Sequence, residues 1–349
     1  MVYNASMDIR EVAKKARVSV ATISRSLSPE TRVKVAPETL HRVDRIVKSC
    51  GYKPNLSARN LRVTKFNTIG VVLPHFRGLF FSDYYRKVLA GIADALLDSD
   101  YDFKMVMAKK DSKMESYDFR HAECVDALVV CHWQIFFTQP KFLKQLGIPC
   151  VVINDPLPDL KAHFAFQDNE MGGRLAARHL LEKGHRRIAV LRADRWSSDS
   201  RLRLKGFRRE ALKISKDVVI YAGQADFQED KAFDKAEEML SKNKDITAFF
   251  CLNDLMAMGV LRKLKALGID CPREISVMGY DDDERARQSV PALTTIRAPL
   301  YDLTKTAVSS LVQFLDGKNP SFLKQTTQFP VCLVERRSVD QRQDRSRRK

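Results

Sequence analysis

The sequence has no segment suited to entering or crossing a membrane. No run approaches the roughly 18 apolar residues of a spanning helix. The N-terminus lacks the apolar stretch of a secretory signal. The seven cysteines (Cys50, Cys124, Cys131, Cys150, Cys251, Cys271, Cys332) are odd in number, widely spaced, and form no C-x-x-C pair. That argues against a disulfide scaffold and a zinc site and fits free thiols in a reducing cytoplasm. Catalytic signatures are missing as well: there is no G-x-S-x-G, no P-loop and no H-E-x-x-H, and the seven histidines are scattered.

What the chain does have is positive charge, unevenly placed. Of the net +17, residues 1–65 carry 14 Lys/Arg against 5 Asp/Glu and residues 335–349 carry 7 against 3. The long middle of the chain is almost balanced. A concentrated positive head suits a phosphate backbone, which attracts charge regardless of sequence; a solvated basic face is the plainer alternative. With 349 residues and 44% hydrophobic content, the chain can build two or three domains with real cores.

Residues 8–28, DIREVAKKARVSVATISRSLS, read as two short helices joined by a tight turn. In the first, Ile9, Val12, Ala13 and Ala16 recur at helical spacing and make one buried stripe. The second begins at Ser19, a good N-cap, with Val18 and Ile23 as a hydrophobic staple and Leu27 on the inner face. Val20, Ala21 and Thr22 then point outward from the first turn, with Arg25 on the same side. This is how a helix-turn-helix offers side chains to base edges in a major groove; a helical hairpin that only packs is the alternative. Pro37–Ser49 reads as a third helix, stopped by Gly51. Residues 53–62 offer Asn55 as a cap for a helix of roughly seven residues, too short to stand alone and formed only against a partner, or else a plain linker.

From about Thr68, apolar runs alternate with amphipathic stretches. Predicted strands are Ile69–Leu73, Phe103–Ala108, Ala127–Val130, Cys150–Ile153, Ile188–Leu191, Val218–Tyr221, Ala248–Leu252 and Ser276–Tyr280. Predicted helices between them include Asp83–Leu97, Met171–Glu182, Leu202–Leu212, Lys231–Leu240 and Leu255–Leu267. Buried strands spaced by helices imply parallel sheets covered on both faces. Two doubly wound sheets with a cleft between them fit this number of units better than one, and a closed (β/α) barrel is the competing topology. Asp281-Asp282-Asp283 follows a strand directly, at the C-terminal edge where open sheets bind ligands. The triplet also suits a metal or paired acid–base carboxylates. Asn253-Asp254 follows a strand in the same way, where it either meets a ligand or caps the next helix. With Arg203 and an aromatic such as Phe227, these groups suit an uncharged, hydroxyl-rich ligand.

Nine segments taken together, IREVAKKARVSVATISRSLS, GYKPNLSARNLR, VDALVV, DNEMGGRLAARHLLEKGHRRIAVL, SRLRLKGF, FFCLNDLMAMGVLRKLKALGI, ISVMGYDDDE, PALTTIRAP and PVCLVERRS, resemble the LacI/GalR family of bacterial transcription regulators over nearly the whole chain. The resemblance implies an all-α helix-turn-helix DNA-binding head (1–52) and a hinge helix or linker (53–65). It further implies a periplasmic-binding-protein-like α/β core (66–340) of two doubly wound parallel-sheet lobes. Lobe one would take 66–166 and 298–330, lobe two 167–297 and 331–340, with crossings near Phe166, Arg297 and Pro330 and a basic tail at 341–349. By position it assigns Ser19, Val20, Ala21, Thr22 and Arg25 to DNA. Val20 and Ala21, both small and apolar, suit thymine methyl groups. It assigns Asn55, Ala58 and Leu61 to the hinge, where the leucine wedges into the central minor-groove step. It assigns Phe80, Arg203, Phe227, Asn253 and Asp281 to an effector.

The partners implied are double-stranded operator DNA, a small sugar-like effector and a second copy of the chain, in the cytoplasm, with no metal, cofactor, membrane or catalytic residue. The rival readings are an enzyme on a sugar-binding core fused to the same head, and a DNA-binding regulator whose core only dimerises or binds a protein co-regulator. Departures from the family pattern are Arg17 where glycine is usual, Gly78-Leu79-Phe80-Phe81 for Asn-Pro-Phe-Phe, Asn154-Asp155 for Asp-Arg, and a short segment at Met114–Cys124. Met1–Ser6 reads as an extension, with Met7 as an alternative start.

Overall fold

A computed structural model describes residues 8–27, 32–50, 52, 65–74, 79–110, 117–118, 124–131, 147–153, 162–194 and 197–342. The chain divides into two compact units, residues 1–66 and 67–349.

In the first unit, Asp8 starts α1 (Ile9–Ala16), and its backbone N–H donates to Glu11 Oε2 at 3.3 Å in a capping box. The chain leaves α1 through Arg17 at φ 50° and ψ 47°, the left-handed conformation that glycine adopts without strain. Ser19 Oγ then accepts from the Thr22 N–H at 3.1 Å and caps α2 (Val20–Leu27). Val12, Ala13 and Ala16 close on Ile23 and on Val43 of α3 (Pro37–Cys50), with Val18 and Leu27 packed at the edge. Arg32 donates to Ser26 O at 2.8 Å and pairs with Asp44, tying the end of α2 to α3.

The second unit holds two open sheets, so the closed barrel is excluded. The first is built from β1 (Thr68–Pro74), β2 (Asp102–Lys110), β3 (Tyr117–Asp118), β4 (Ala127–Val130), β5 (Cys150–Ile153), β6 (His163–Gln167) and β12 (Thr326–Phe329), in the order β12-β6-β5-β4-β1-β2-β3. The second is built from β7 (Arg187–Arg192), β8 (Val219–Gln224), β9 (Ala248–Cys251), β10 (Ser276–Asp281), β11 (Thr294–Arg297) and β13 (Cys332–Val334), in the order β13-β11-β10-β9-β7-β8. Pairing is parallel except at two edges, β2–β3 and β11–β13. The chain changes sheet between β6 and β7, returns between β11 and β12, and changes again between β12 and β13.

Each lobe has its own apolar cluster. In the first, Val88 and Ile92 of α4 (Asp83–Leu96) and Leu303, Ala307, Val308 and Leu311 of α10 (Leu300–Leu315) pack with Ile69, Val71 and Val129. In the second, the strands lie under α5 (Asn169–Glu182), α6 (Ser198–Ile214), α7 (Glu229–Lys242) and α8 (Asp254–Ala266). A short α9 (Glu284–Gln288) follows β10. Tyr84, near the start of α4, packs against both clusters.

Candidate functional site

Two places in the molecule gather the residues singled out above. In the first unit, Val20 is 38% exposed even though its helix carries the buried Ile23. Ala21 and Arg25 are exposed and Thr22 is partly so. The burial of Ile23 and the Ser19 cap together turn this first helical turn outward. Asn55, Ala58 and Leu61 lie outside the described residues, as do Gly78, Asn154 and Asp155.

In the second unit, Arg203 of α6 is 3% exposed and engaged through Nε and Nη1. Its Nε donates to Asn169 Oδ1 at 2.9 Å, its Nη1 donates to Leu252 O and lies 3.4 Å from Asp281 Oδ1, and its guanidinium carbon stacks 3.6 Å from the Tyr280 ring centroid. Asn169 Nδ2 in turn donates to Asp199 Oδ1 at 2.8 Å. The guanidinium is therefore held from a helix, a strand and a loop, and cannot swing away.

Asp281 ends β10 at φ 111° and is 8% exposed. Its Oδ1 accepts no hydrogen bond. Burial pushes its pKa up to about 6, against the opposing pull of Arg203 and Lys87. Asp282, also left-handed, turns away to accept from Arg297 Nε at 2.7 Å and from Arg336. Asp283 accepts from Lys87 Nζ at 3.4 Å. The three adjacent carboxylates thus face three different sets of partners, and none of the described residues forms a cluster able to hold a metal ion.

Asn253 and Asp254 share the work at the head of α8. Asn253 is its N-cap, with Oδ1 accepting from the Met256 N–H at 2.9 Å and Nδ2 3.5 Å from Phe227 O. Asp254 is 1% exposed and accepts from Thr295 Oγ1 at 2.7 Å and the Asp283 N–H at 2.8 Å. Burial, with Asp281 nearby, pushes its pKa up to about 8. Phe227 adopts φ 59° and packs at the edge of the second cluster.

The structure therefore brings Arg203 and Asp281 together, with Asn253 after the adjacent β9 in contact with Phe227 from beyond β8. Phe80 stands apart, 50% exposed. Sequence reasoning missed Asn169, Asp199 and Tyr280 as site residues, although the first and last lie in the quoted DNEMGG and ISVMGYDDDE segments. Their only signal there was position, since each comes just before or just inside an element end.

Comparison with known proteins bears on both places. Residues 8–55 match the bacterial regulatory proteins of the lacI family, and residues 177–339 match a periplasmic binding protein-like domain. The HTH-type transcriptional regulator GalS of Salmonella typhimurium is 32% identical over 345 residues, 96% of this chain and 97% of that one. The ribose operon repressor of Haemophilus influenzae is 27% identical, covering 93% of this chain and 97% of the relative. The solved complex of the transcriptional regulator CelR with cellobiose superposes with a TM-score of 0.68 at 25% identity, covering 95% of this chain and 99% of that one. On these grounds the chain belongs to the LacI family of bacterial transcription regulators.

Proposed function

We propose that this chain is a cytoplasmic, homodimeric repressor whose operator affinity is set by an uncharged, hydroxyl-rich effector, a sugar or close derivative. The observation that carries this reading is the buried Asp281 Oδ1, which accepts no hydrogen bond although it lies at the C-terminal edge of β10. The ion pair with Arg203 Nη1 at 3.4 Å leaves this oxygen without a hydrogen bond, and a ligand hydroxyl supplies the donor. The neighbouring cation, Arg203, is paired with the Asp281 carboxylate, which offsets the charge a phosphate would need. In this reading Arg203, Asn253 and Asp281 hold the effector, Phe227 forms its aromatic wall, and Phe80 approaches from the first lobe. Two relatives are named for sugars: a ribose operon repressor and a regulator solved with cellobiose.

The head reads base edges through Val20 and Ala21, with Ser19, Thr22 and Arg25 beside them. Asn55, Ala58 and Leu61 act at the hinge. Effector and operator are coupled by linkage, so the ligand shifts operator affinity only by its differential affinity for the two core states. No catalytic role is assigned to any residue.

The test is a thermal-shift screen of neutral sugars, sugar phosphates, nucleosides and purines, followed by operator binding with each hit. Ligand at 100 times its Kd adds about 2.7 kcal/mol of stability. A neutral sugar that raises Tm and changes operator affinity is the expected result. A shift given only by phosphates or purines would overturn the effector class. No shift from any class would favour a core that dimerises or binds a protein instead.

A further inference from the structure

One side chain of the first lobe reaches the backbone that presents Asp281. Lys87 lies on α4, whose Val88 and Ile92 pack in the first cluster. Its Nζ donates to Asp281 O at 3.2 Å, Asp282 O at 3.1 Å and Asp283 Oδ1 at 3.4 Å, all at or just after the end of β10 in the second lobe. Asp83 Oδ2, one turn back on α4, lies 2.9 Å from the same nitrogen.

The two carbonyls belong to residues with positive φ. Asp281 is at 111° and Asp282 at 52°, a region in which residues with a Cβ are strained. Such residues persist only where their surroundings over-determine them. Part of the hold comes from the second lobe itself: Asp282 accepts from Arg297 Nε and from Arg336, and Asp254 accepts from the Asp283 N–H at 2.8 Å. Those bonds fix the Asp282 carboxylate and the backbone that follows. The hold on the Asp281 and Asp282 carbonyls comes from Lys87, across the seam. An ammonium offers three donors, which suits two adjacent carbonyls and a carboxylate, and bonds from a charged donor are roughly twice as strong as neutral ones.

We propose that Lys87 is a positioning residue of the effector site: from the first lobe it holds the left-handed turn that sets the Asp281 carboxylate against Arg203, so this acceptor takes its final place only when the lobes meet.

The first lobe thereby shapes the site without Lys87 touching the effector. Opening the seam withdraws the ammonium, the two carbonyls lose this donor, and the strained turn relaxes. An effector that needs Asp281 in its present place then binds the closed form better, which is the differential affinity that linkage requires. That Asp281 meets an effector is the reading given above; the hold of Lys87 on the turn is tested without ligand, so either can fail alone.

Hydrogen–deuterium exchange of the full chain, read by mass spectrometry, follows the turn through the Asp283 amide, which Asp254 protects. Lys87→Met keeps an apolar stem and removes the ammonium. It is expected to speed exchange across residues 281–284 by about ten- to a hundredfold, the range for losing hydrogen bonds to a charged group. α4, β7 and β9 are expected to exchange as in the wild type. Unchanged exchange at 281–284 would overturn the proposal. So would acceleration spread along α4, which would make Lys87 a stabiliser of its own helix. Lys87→Ala, a good helix former, carries the same expectation should Lys87→Met fail to fold, and failure of both to fold would also overturn the proposal.

Discussion

Gly173 and Gly206 bring two helices so close that neither position has room for a Cβ. A Cβ at Gly173 would sit 2.0 Å from Arg203 O, and one at Gly206 would sit 2.0 Å from Glu170 O. The contact is reciprocal, since α5 carries Asn169 and Glu170 while α6 carries Arg203. The same crossing that seats the helices against each other therefore sets the 2.9 Å bond between Arg203 Nε and Asn169 Oδ1. Because both obstacles are backbone atoms, an added methyl has to push the helices apart.

Gly173→Ala and Gly206→Ala are accordingly expected to destabilise the second unit by about 1–3 kcal/mol each, the usual cost of overpacking. Chemical denaturation checks the stability. A variant with unchanged stability would mean that the crossing is looser than described.

Much of this architecture was legible in the sequence. Strands such as Ala127–Val130 and Cys150–Ile153 are continuous apolar runs, buried on both faces, and their pattern does not depend on distant partners. Five strands escaped notice, β3, β6, β11, β12 and β13, each of five residues or fewer, and they depend on such partners. β12 (TTQF) and β13 (CLV) are short, partly exposed edge strands, and β12 pairs with β6, far back in the chain. Their identity comes from tertiary pairing, which overrides a weak local pattern. α10 gives a weaker local signal for another reason: its Thr, Val and Ser residues dilute helix propensity even though Leu303, Ala307 and Leu311 recur four apart on its buried face. The Asp281-Asp282-Asp283 triplet shows the limit for the site. Three identical side chains in a row give no hint that two left-handed residues send them to different partners.

The turn between α1 and α2 supports a separate test. Arg17 holds φ 50° where the family usually has glycine, and a non-glycine residue there costs roughly 1–2 kcal/mol. Arg17→Gly relieves that strain but frees the unfolded chain, so the net gain expected is about 0.5–1 kcal/mol. Thermal unfolding of the first unit's transition checks it. A loss of stability would mean that the Arg17 side chain contributes more than its backbone costs.

His185 gives a pH dependence of known sign. It is 3% exposed, with Nδ1 3.0 Å from Thr247 Oγ1 and Nε2 3.2 Å from Asp340 O. Burial pushes its pKa down to about 4, so folding favours the neutral ring. Its contribution is fully present above the unfolded value of about 6.5 and is lost as pH falls through 4. The difference in unfolding free energy between wild type and His185→Gln is therefore expected to shrink from pH 7 to pH 5. A difference that stays constant over that range would place the ring's proton elsewhere.

The two proposed contact sets should separate cleanly in one pair of variants. Asp281→Asn keeps the size of the side chain but can place an amide where the acceptor stood, so it should abolish the ligand-induced thermal shift. It lies in the second unit, and direct operator contact is assigned to the first. Val20→Ala removes two methyl groups that are 38% exposed, so it should change protein stability by less than about 0.5 kcal/mol. If Val20 meets a thymine methyl, that truncation should weaken operator binding and relax base preference at one position of each half-site, while the thermal shift with ligand stays intact. Binding to randomised operators measures the first effect and calorimetry with ligand the second. If Val20→Ala leaves base preference unchanged, or Asp281→Asn still responds to ligand, the corresponding contact is wrongly assigned.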